Sequence, residues 1–275
     1  MDRTQNIRPL SFWCRISACV LVCLLALLAP AAQATDNLCG ATILSNLRLD
    51  HDLSCAGNGL VVGADGIRIS LNGYTIAGSG TAAGGLGISV IGRTHVSIVG
   101  GIVKNFQTAV RVMNSSDVVI KDNELSGNGE GIDLQAGSIG NTIKENTFLD
   151  STIRAVMLRG GVTDNVIKEN SFGRNRVGIL IFAGVDNTIK ENIISDSTLA
   201  GIRVNVFATG NLIAENTITY NPAGVEFLVT ATGSAIGNSL VENRIGMNAC
   251  GIKGPFDGNS FNENVFQSNG VDICP

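Results

Sequence analysis

A column of acidic residues recurs along the chain at a regular spacing. The phrase Asn-Thr-Ile-Lys-Glu-Asn occupies residues 141–146 and 187–192, and residues 165–170 differ only by Val in its second place. Related phrases put an acidic residue before an Asn every 21–27 residues, at Asp122, Glu145, Glu169, Glu191, Glu215, Glu242 and Glu263. Carboxylates stacked in register about 4.8 Å apart repel one another. Either a bound cation or neighbouring positive side chains must offset that repulsion.

Lysines supply this compensation in only part of the column. A lysine precedes the acid in the first four phrases, as Lys121, Lys144, Lys168 and Lys190. The last three phrases have Ala, Val and Asn instead, so Glu215, Glu242 and Glu263 form a candidate cation column. The favoured interpretation is a solvated acidic edge without an ion. The alternative is a cation site, and calcium would be the ion because it takes several carboxylate oxygens. No other metal site is predicted, since the cysteines lack a CxxC spacing and a neighbouring histidine.

Catalysis on a glycan would require two carboxylates at a fixed separation. Asp133 and Glu226 are the candidates, because both are expected to point outward from a strand. Arg111 lies one repeat before Asp133, and Arg203 and Lys253 flank Glu226 at the same spacing. These residues therefore also fit charge ladders that neutralise themselves. The sequence leaves open whether the protein is an enzyme and favours the non-catalytic alternative.

The repeat itself predicts the elements that position these residues. In residues 131–153, three short strand-like stretches are separated by turns rich in Gly and Asn. Such a unit repeated at 21–27 residues predicts an all-β fold, a single-stranded right-handed parallel β-helix of about eight coils. A β-sandwich also has many short strands, but it would not repeat one three-strand pattern. We expect residues 35–60 to form an N-terminal cap and residues 61–275 to form the β-helix with a C-terminal cap.

Apolar side chains interrupt the outward-facing column of the first strand. The pattern predicts an exposed apolar patch made of Met157, Leu180, Phe182, Phe207 and Leu228. A contiguous patch of this kind indicates a partner protein or self-association. The alternative is that a loop covers it.

The N-terminus predicts export. Three arginines precede an apolar run over residues 16–29, and Ala32-Gln33-Ala34 is a small-x-small cleavage signal, so residues 1–34 are expected to be a signal peptide cleaved after Ala34. No later apolar stretch is long enough to span a membrane. The mature chain would keep 16 basic and 22 acidic residues, a net charge of −6. Without a basic stripe, nucleic acid is not an expected partner. We expect a secreted or periplasmic protein.

Four cysteines remain after that cleavage, and an even number in an exported chain indicates disulfides. Three pairings are possible. The favoured one joins Cys39 to Cys55 and Cys250 to Cys274, because it places one bridge near each open end of the solenoid.

The run from Cys39-Gly40 through Asp52-Leu53-Ser54-Cys55 to residues 66–73, with the repeats that follow, resembles the pectin-lyase-like superfamily of right-handed parallel β-helices. Within it, the chain resembles the bacterial branch typified by periplasmic nitrous-oxide-reductase maturation proteins and uncharacterised secreted β-helix proteins. The resemblance covers residues 38–275. It implies a polysaccharide groove on the broad first sheet, and the family label alone suggests copper. Copper would require clustered His, Met or Cys, and no such cluster is seen.

The motifs of enzymes in that superfamily are missing. The Asn-Thr-Asp, Asp-Asp and Gly-His-Gly motifs of polygalacturonases, the Trp-Asp-His of pectate lyases and the Asp-Pro-His of mannuronan epimerases have no counterpart. We therefore expect an exported scaffold or binding module for a polysaccharide or an envelope protein, without a cofactor. The alternative is a polysaccharide lyase, epimerase or hydrolase with a diverged site.

Overall fold

Each repeat folds into one coil of three short strands. The Thr-Ile-Lys of the phrase forms a strand over Thr142–Lys144, with Ile143 buried and its two neighbours half-buried. That strand pairs in parallel with Thr188–Lys190 through the intervening Val166–Lys168, and the isoleucines stand in register. The same pairing runs along the chain, so the protein is the all-β, single-stranded parallel β-helix that its sequence predicts.

The computed structural model describes residues 37–231 and 233–275. Leu38–Pro275 forms one compact unit. The expected signal peptide, residues 1–34, and its cleavage after Ala34 lie outside the described residues. No helix among the described residues is long and apolar enough to cross a membrane.

Three parallel sheets run the length of the solenoid. The first sheet contains β1 (Thr42–Ile43), β4 (Leu60–Val62), β7 (Leu86–Ile91), β10 (Thr108–Met113), β13 (Glu130–Leu134), β16 (Arg154–Arg159), β19 (Val177–Phe182), β22 (Ala200–Val204), β25 (Ala223–Phe227), β28 (Cys250–Lys253) and β31 (Val271–Cys274). The second sheet contains β2 (Leu47–Arg48), β5 (Arg68–Ser70), β8 (Ser97–Val99), β11 (Val119–Lys121), β14 (Thr142–Lys144), β17 (Val166–Lys168), β20 (Thr188–Lys190), β23 (Leu212–Ala214), β26 (Ser239–Val241) and β29 (Ser260–Asn262). The third sheet contains β3 (Leu53–Ser54), β6 (Thr75–Ala77), β9 (Ile102–Lys104), β12 (Glu124–Ser126), β15 (Thr147–Leu149), β18 (Ser171–Gly173), β21 (Ile193–Ser195), β24 (Thr217–Thr219), β27 (Arg244–Gly246) and β30 (Val265–Gln267). A short 3-10 helix lies at Thr81–Ala83.

The described residues form ten three-strand coils, followed by β31, so the sequence estimate of eight coils is too low. The two extra coils, β1 to β6, lack the Asn phrase from which the repeats were counted. The first of them lies within residues 35–60, where the sequence predicts a cap. At this end the solenoid therefore begins with a coil of very short strands.

The structure contains the two disulfides that the sequence favours. Cys39 is joined to Cys55 beside the first coil, and Cys250 in β28 is joined to Cys274 in β31. Each bridge links chain segments that belong to neighbouring turns at one end of the described solenoid. This placement stabilises the coils that have a neighbour on only one side.

The core consists of columns of like residues. Ile143, Ile167 and Ile189 are almost fully buried and stack on one another along the second sheet. In the third sheet, the rings of Phe148 and Phe172 are parallel, with their centroids 4.7 Å apart. Burial of such side chains contributes about 1.5–3 kcal/mol each, and the columns repeat that gain in every coil.

The acidic position of the phrase forms a corner of the coil. Glu145, Glu169 and Glu191 have φ values of 56°, 57° and 56°, in the left-handed region that costs a non-glycine residue roughly 1–2 kcal/mol. The Asn that follows each of them is buried, and its amide is hydrogen-bonded to the next coil. The corner is therefore held in its strained conformation by the neighbouring Asn.

These asparagines form a ladder in which each amide bonds the next coil. The backbone N–H and Nδ2 of Asn146 both donate to Oδ1 of Asn170, at 2.9 and 3.1 Å. Nδ2 of Asn146 also donates to the carbonyl oxygens of Ile120 and Lys144. The Nδ2 of Asn146 therefore donates to the coils on both sides, and its Oδ1 accepts from Asn123, so the buried amide has hydrogen-bond partners.

The structure contains three such ladders, one at each corner of the coil. The ladder before the second sheet consists of Asn141, Asn165, Asn187, Asn211, Asn238 and Asn259. The ladder between the second and third sheets consists of Asn123, Asn146, Asn170, Asn192, Asn216, Asn243 and Asn264. The ladder before the first sheet consists of Asn128, Ser151, Asn175, Ser197, Asn221, Asn248 and Asn269.

Two serines interrupt the third of these ladders. Ser151 and Ser197 are buried, and their Oγ atoms have no hydrogen-bond partner among the described residues. A serine side chain is too short to reach the coil on either side as an Asn does. The two positions are therefore local defects in an otherwise continuous network.

We predict that Ser151→Asn stabilises the protein. The new amide would accept a hydrogen bond from the backbone N–H of Asn128, as Asn175 does from Ser151, and should add about 1 kcal/mol to the free energy of unfolding. Urea denaturation followed by circular dichroism measures the effect. The reciprocal control, Asn175→Ser, should lower the midpoint. A lower midpoint for Ser151→Asn would show that the ladder is not limited by missing acceptors.

Candidate functional site

Lysines neutralise the first four acids of the column. The Nζ atom of each lysine lies 3.0–3.2 Å from the carboxylate of the next residue, in Lys121–Asp122, Lys144–Glu145, Lys168–Glu169 and Lys190–Glu191. The hydrogen bond from Lys168 lowers the pKa of Glu169, and the hydrogen bond to Glu191 raises the pKa of Lys190. Since these groups are half-buried or exposed, solvent screens the pairs and their contribution to stability is small. The lysines therefore offset the repulsion between these four stacked carboxylates without a bound ion.

The candidate cation column is the part of the acidic row in which no lysine precedes the glutamate. Glu215, Glu242 and Glu263 are exposed and stand one coil apart in a row. Within the described residues, no group of three or more acidic, His or Cys side chains could hold a metal ion. Each carboxylate of this row is exposed to water, which favours the solvated acidic edge. Cation binding by the row stays a prediction.

Asp133 lies on the outer face of the first sheet but is fully buried, with 0% exposure. Arg159 binds it through two parallel hydrogen bonds, Nε to Oδ1 at 3.0 Å and Nη2 to Oδ2 at 2.6 Å. Gln135 donates to Oδ2 at 2.6 Å, and the Nε of Arg111 lies 3.5 Å from the same oxygen. Burial is the largest influence on the pKa of Arg159 and lowers it, but the hydrogen bond and charge of Asp133 reverse the direction and raise that pKa overall.

Glu226 is held in the same way four coils further along. Arg203 pairs with it through Nε, 2.7 Å from Oε2, and through Nη2. The Nζ of Lys253 lies 3.2 Å from its other oxygen. The sequence predicts these ladders, and the structure shows them with Arg159 added to the first. Asp133 and Glu226 therefore each hold two cations, and neither presents a free carboxylate to a substrate.

A third buried carboxylate, Glu130, was not found from the sequence. Its Oε1 lies 3.3 Å from Nε of Arg154, and its Oε2 accepts a hydrogen bond from Thr108. Glu130 and Arg154 are register partners one coil apart. Their spacing of one repeat could have revealed the pair, because it equals the spacing that relates other residues of one column.

The outer face of the first sheet carries more cations than anions. The seven strands of the first sheet from β10 to β28, together with the residue before β19, carry Arg111, Arg154, Arg159, Arg176, Arg203 and Lys253. The same strands carry three carboxylates, Glu130, Asp133 and Glu226, which leaves a net charge of +3. The whole chain has a net charge of −4. We call this surface the cationic face.

A shallow pocket of about 120 Å³ lies within the cationic face. Arg154, Arg176 and Arg203 surround it, and Ile153, Val177, Leu180 and Leu199 supply its apolar lining. Guanidinium groups bind carboxylates and phosphates, so the pocket suits an anionic group carried on an apolar framework.

The predicted apolar patch is smaller than expected. Met157 is only 5% exposed, because Nη1 of Arg154 lies 2.6 Å from its sulfur and covers it, so its predicted exposure is wrong. Leu180 and Leu228 are half-buried, and Leu180 lines the pocket. Phe182 and Phe207 are 38% and 52% exposed. The patch is therefore broken at its centre by an arginine.

Comparison with known proteins gives a family. The model of the family described as "Periplasmic copper-binding protein (NosD)" matches residues 51–227 and 160–273, which overlap and cover most of the chain. Among curated protein sequences, none is significantly similar to this chain.

Solved structures similar to this one share its fold at low sequence identity. Two structures of the periplasmic alginate epimerase AlgG match with TM-scores of 0.61 and 0.63 at 18% and 16% identity, over 78% and 84% of this chain and 60% and 72% of the epimerase chains. An alginate lyase from Paenibacillus sp. str. FPU-7 matches with a TM-score of 0.60 at 13% identity, over 84% and 91%. The Streptococcus pneumoniae surface protein and adhesin PfbA matches with a TM-score of 0.65 at 14% identity, over 85% and 87%.

The described residues do not fit the copper of that family description. All four of their cysteines are in disulfides, and the two histidines, His51 and His95, each lie beside an aspartate. The sulfur of Met157 is buried under Arg154. Copper sites in proteins need clustered imidazole, thiolate or thioether donors, and this part of the chain contains no such cluster.

We predict that the thermal unfolding midpoint is insensitive to metal. Millimolar Ca²⁺, a chelator or one equivalent of Cu²⁺ should leave the midpoint unchanged, because a ligand stabilises a fold only if it binds the native state. Differential scanning calorimetry on the mature protein makes the measurement. A higher midpoint in Ca²⁺ that Glu242→Gln abolishes would show that the glutamate column binds the ion.

We also predict that Asp133 is structural. Asp133→Asn removes the counter-charge of Arg159 and Arg111, and should lower the free energy of unfolding by about 1–3 kcal/mol. Asp150→Asn, which removes the exposed partner of Arg174, is the control and should change little. Unchanged stability together with lost turnover of a polysaccharide would identify Asp133 as catalytic instead.

Proposed function

The chain belongs to the NosD family of periplasmic copper-binding proteins, and we propose that it is a non-catalytic binding module that holds an acidic polysaccharide outside the cytoplasm. The cationic face carries this proposal. It bears +3 on a protein whose net charge is −4, so an anionic polymer would be attracted to this face and repelled by the rest of the surface.

The arrangement of the cations favours a polymer over a small anion. Arg111 in β10 and Lys253 in β28 are separated by six coil steps, which at about 4.8 Å per step is roughly 29 Å along the solenoid. An extended chain with an anionic group on successive sugars could contact several of these cations at once. Each contact would be weak, and their number would provide the affinity.

Similar β-helices support a glycan as the ligand. The matched structures include an alginate epimerase and an alginate lyase, both named for an acidic polysaccharide, and a bacteriophage tailspike in complex with a pentasaccharide. At 10–16% identity these likenesses establish a shared fold, and the ligand is argued from the charges on this chain. The paired state of Asp133 and Glu226 favours binding over turnover, because a general acid or nucleophile must reach its substrate.

We predict that the mature protein binds a polyuronate and does not bind a neutral glucan. Because exposed ion pairs are worth about 0.2–1 kcal/mol each, Lys253→Gln should weaken binding by about two- to fivefold, and added salt should weaken it further. Affinity electrophoresis in gels containing either polymer makes the comparison.

Lys168→Gln provides the matched control, since it removes a comparable cation from the second sheet. It should leave the affinity unchanged. Equal retention by the neutral polymer, or loss of affinity in the control alone, would contradict the proposal. Release of shortened or unsaturated products would show an enzyme in place of a binding module.

A further inference from the structure

The arginine-lined pocket of the cationic face differs from the rest of that face, because one of its cations has no counter-ion. Arg154 is paired with Glu130 and Arg203 with Glu226. Arg176 is exposed, and its side chain forms no ion pair or hydrogen bond with any described residue. The three arginines face two carboxylates, so the pocket carries one positive charge that a single monoanion would neutralise.

We infer that this pocket is a subsite for one carboxylate-bearing sugar, a uronate unit, and that Arg176 recognises its carboxylate. The inference rests on the proposed function, since it assigns one sugar of the bound polymer to a defined place.

Two of the arginines are already oriented before a ligand arrives. The Nε of Arg154 faces Glu130 at 3.3 Å, and its Nη1 lies 2.6 Å from the sulfur of Met157. The Nε of Arg203 donates to Glu226 at 2.7 Å. Side chains fixed in this way lose little conformational entropy on binding. They form the two walls of the pocket, and each is already paired with a carboxylate.

The third arginine, Arg176, has a main chain fixed by hydrogen bonding and a side chain that is free to bind a ligand. The N–H of Arg176 donates to the carbonyl of Ser151 at 2.9 Å, in the coil before it, and β19 begins at the next residue. The guanidinium therefore starts from a defined point at the rim of the pocket. Its planar fork of donors matches the two oxygens of a carboxylate.

The lining and size of the pocket fit one sugar of a chain. Val177, Leu180 and Leu199 give it an apolar floor that could receive the C–H face of a pyranose ring. Sites that enclose a whole drug-sized ligand measure about 300–1,000 Å³, whereas this pocket measures about 120 Å³ and is shallow. It can hold one ring while the polymer continues along the sheet in both directions.

Binding of a short uronate oligosaccharide to the mature protein tests the inference by isothermal titration calorimetry. Arg176→Gln should weaken binding about tenfold, because a charge-assisted hydrogen bond is lost. Arg176→Lys keeps the charge without the fork and should recover part of the affinity. Arg174→Gln is the matched control: it removes an exposed arginine two residues away, paired with Asp150, and should have no effect.

Two further ligands separate carboxylate recognition from general attraction. The methyl-esterified form of the same oligosaccharide lacks the charge and should bind the wild-type protein about as weakly as the free acid binds Arg176→Gln. A sulfated oligosaccharide of equal length should bind less tightly than the uronate. Equal binding of the sulfated and uronate ligands, with equal loss in Arg176→Gln, would overturn the carboxylate assignment.

The same samples distinguish a failure of the uronate subsite from a failure of the proposed polysaccharide-binding function. If polyuronate binds but the oligosaccharide affinity is the same in wild type and Arg176→Gln, the subsite is wrong and the proposed function stands. The subsite is equally wrong if the polymer binds and the oligosaccharide does not. If polyuronate fails to bind the wild-type protein, the proposed function is wrong and the subsite falls with it.

Discussion

The whole structure depends on the stacking of each residue on its equivalent in the next coil. In a parallel solenoid this neighbour lies about 4.8 Å away. Every column must therefore consist of residues that interact favourably with an identical or a complementary side chain in the next coil. Isoleucine does so by burying apolar surface. Asparagine does so because its amide carries a donor and an acceptor, and Asn146 and Asn170 show how both are used across successive coils. The three ladders extend this solution to every corner, and the corners can then adopt the left-handed backbone that closes each coil.

Charged residues meet the same constraint by pairing with opposite charges. At the corner column, lysines such as Lys168 supply a partner within the same strand and the adjoining turn. On the first sheet the partner comes from another coil, as Arg159 does for Asp133 and Arg203 for Glu226. The first arrangement leaves this edge of the solenoid with no net charge over four coils. The second leaves more arginines than carboxylates, and this surplus gives the cationic face its sign.

The buried carboxylates are therefore best understood as supports for arginines. Glu130, Asp133 and Glu226 hold cations that would otherwise be free to move across the sheet. A β-helix offers the same broad sheet to many functions, so its likeness to epimerases, lyases and an adhesin establishes the fold and leaves the chemistry to the side chains. Here those side chains can attract and orient an anion. They also lack the clustered donors that the copper in the family description would need within the described residues.

The sequence by itself determined the period, the type of fold and the charge partners of Asp133 and Glu226 that lie one repeat away, because residues at equal positions in successive coils must touch. It missed contacts that cross columns. Arg159 reaches Asp133 from the coil beyond and two positions along, and Arg154 bends over Met157 and buries it. The number of coils was also underestimated, since the corners of the first two coils lack the repeated phrase. Only the tertiary structure decided these features, because the direction of a long side chain depends on coil length and on its neighbours, and the repeat in the sequence specifies neither.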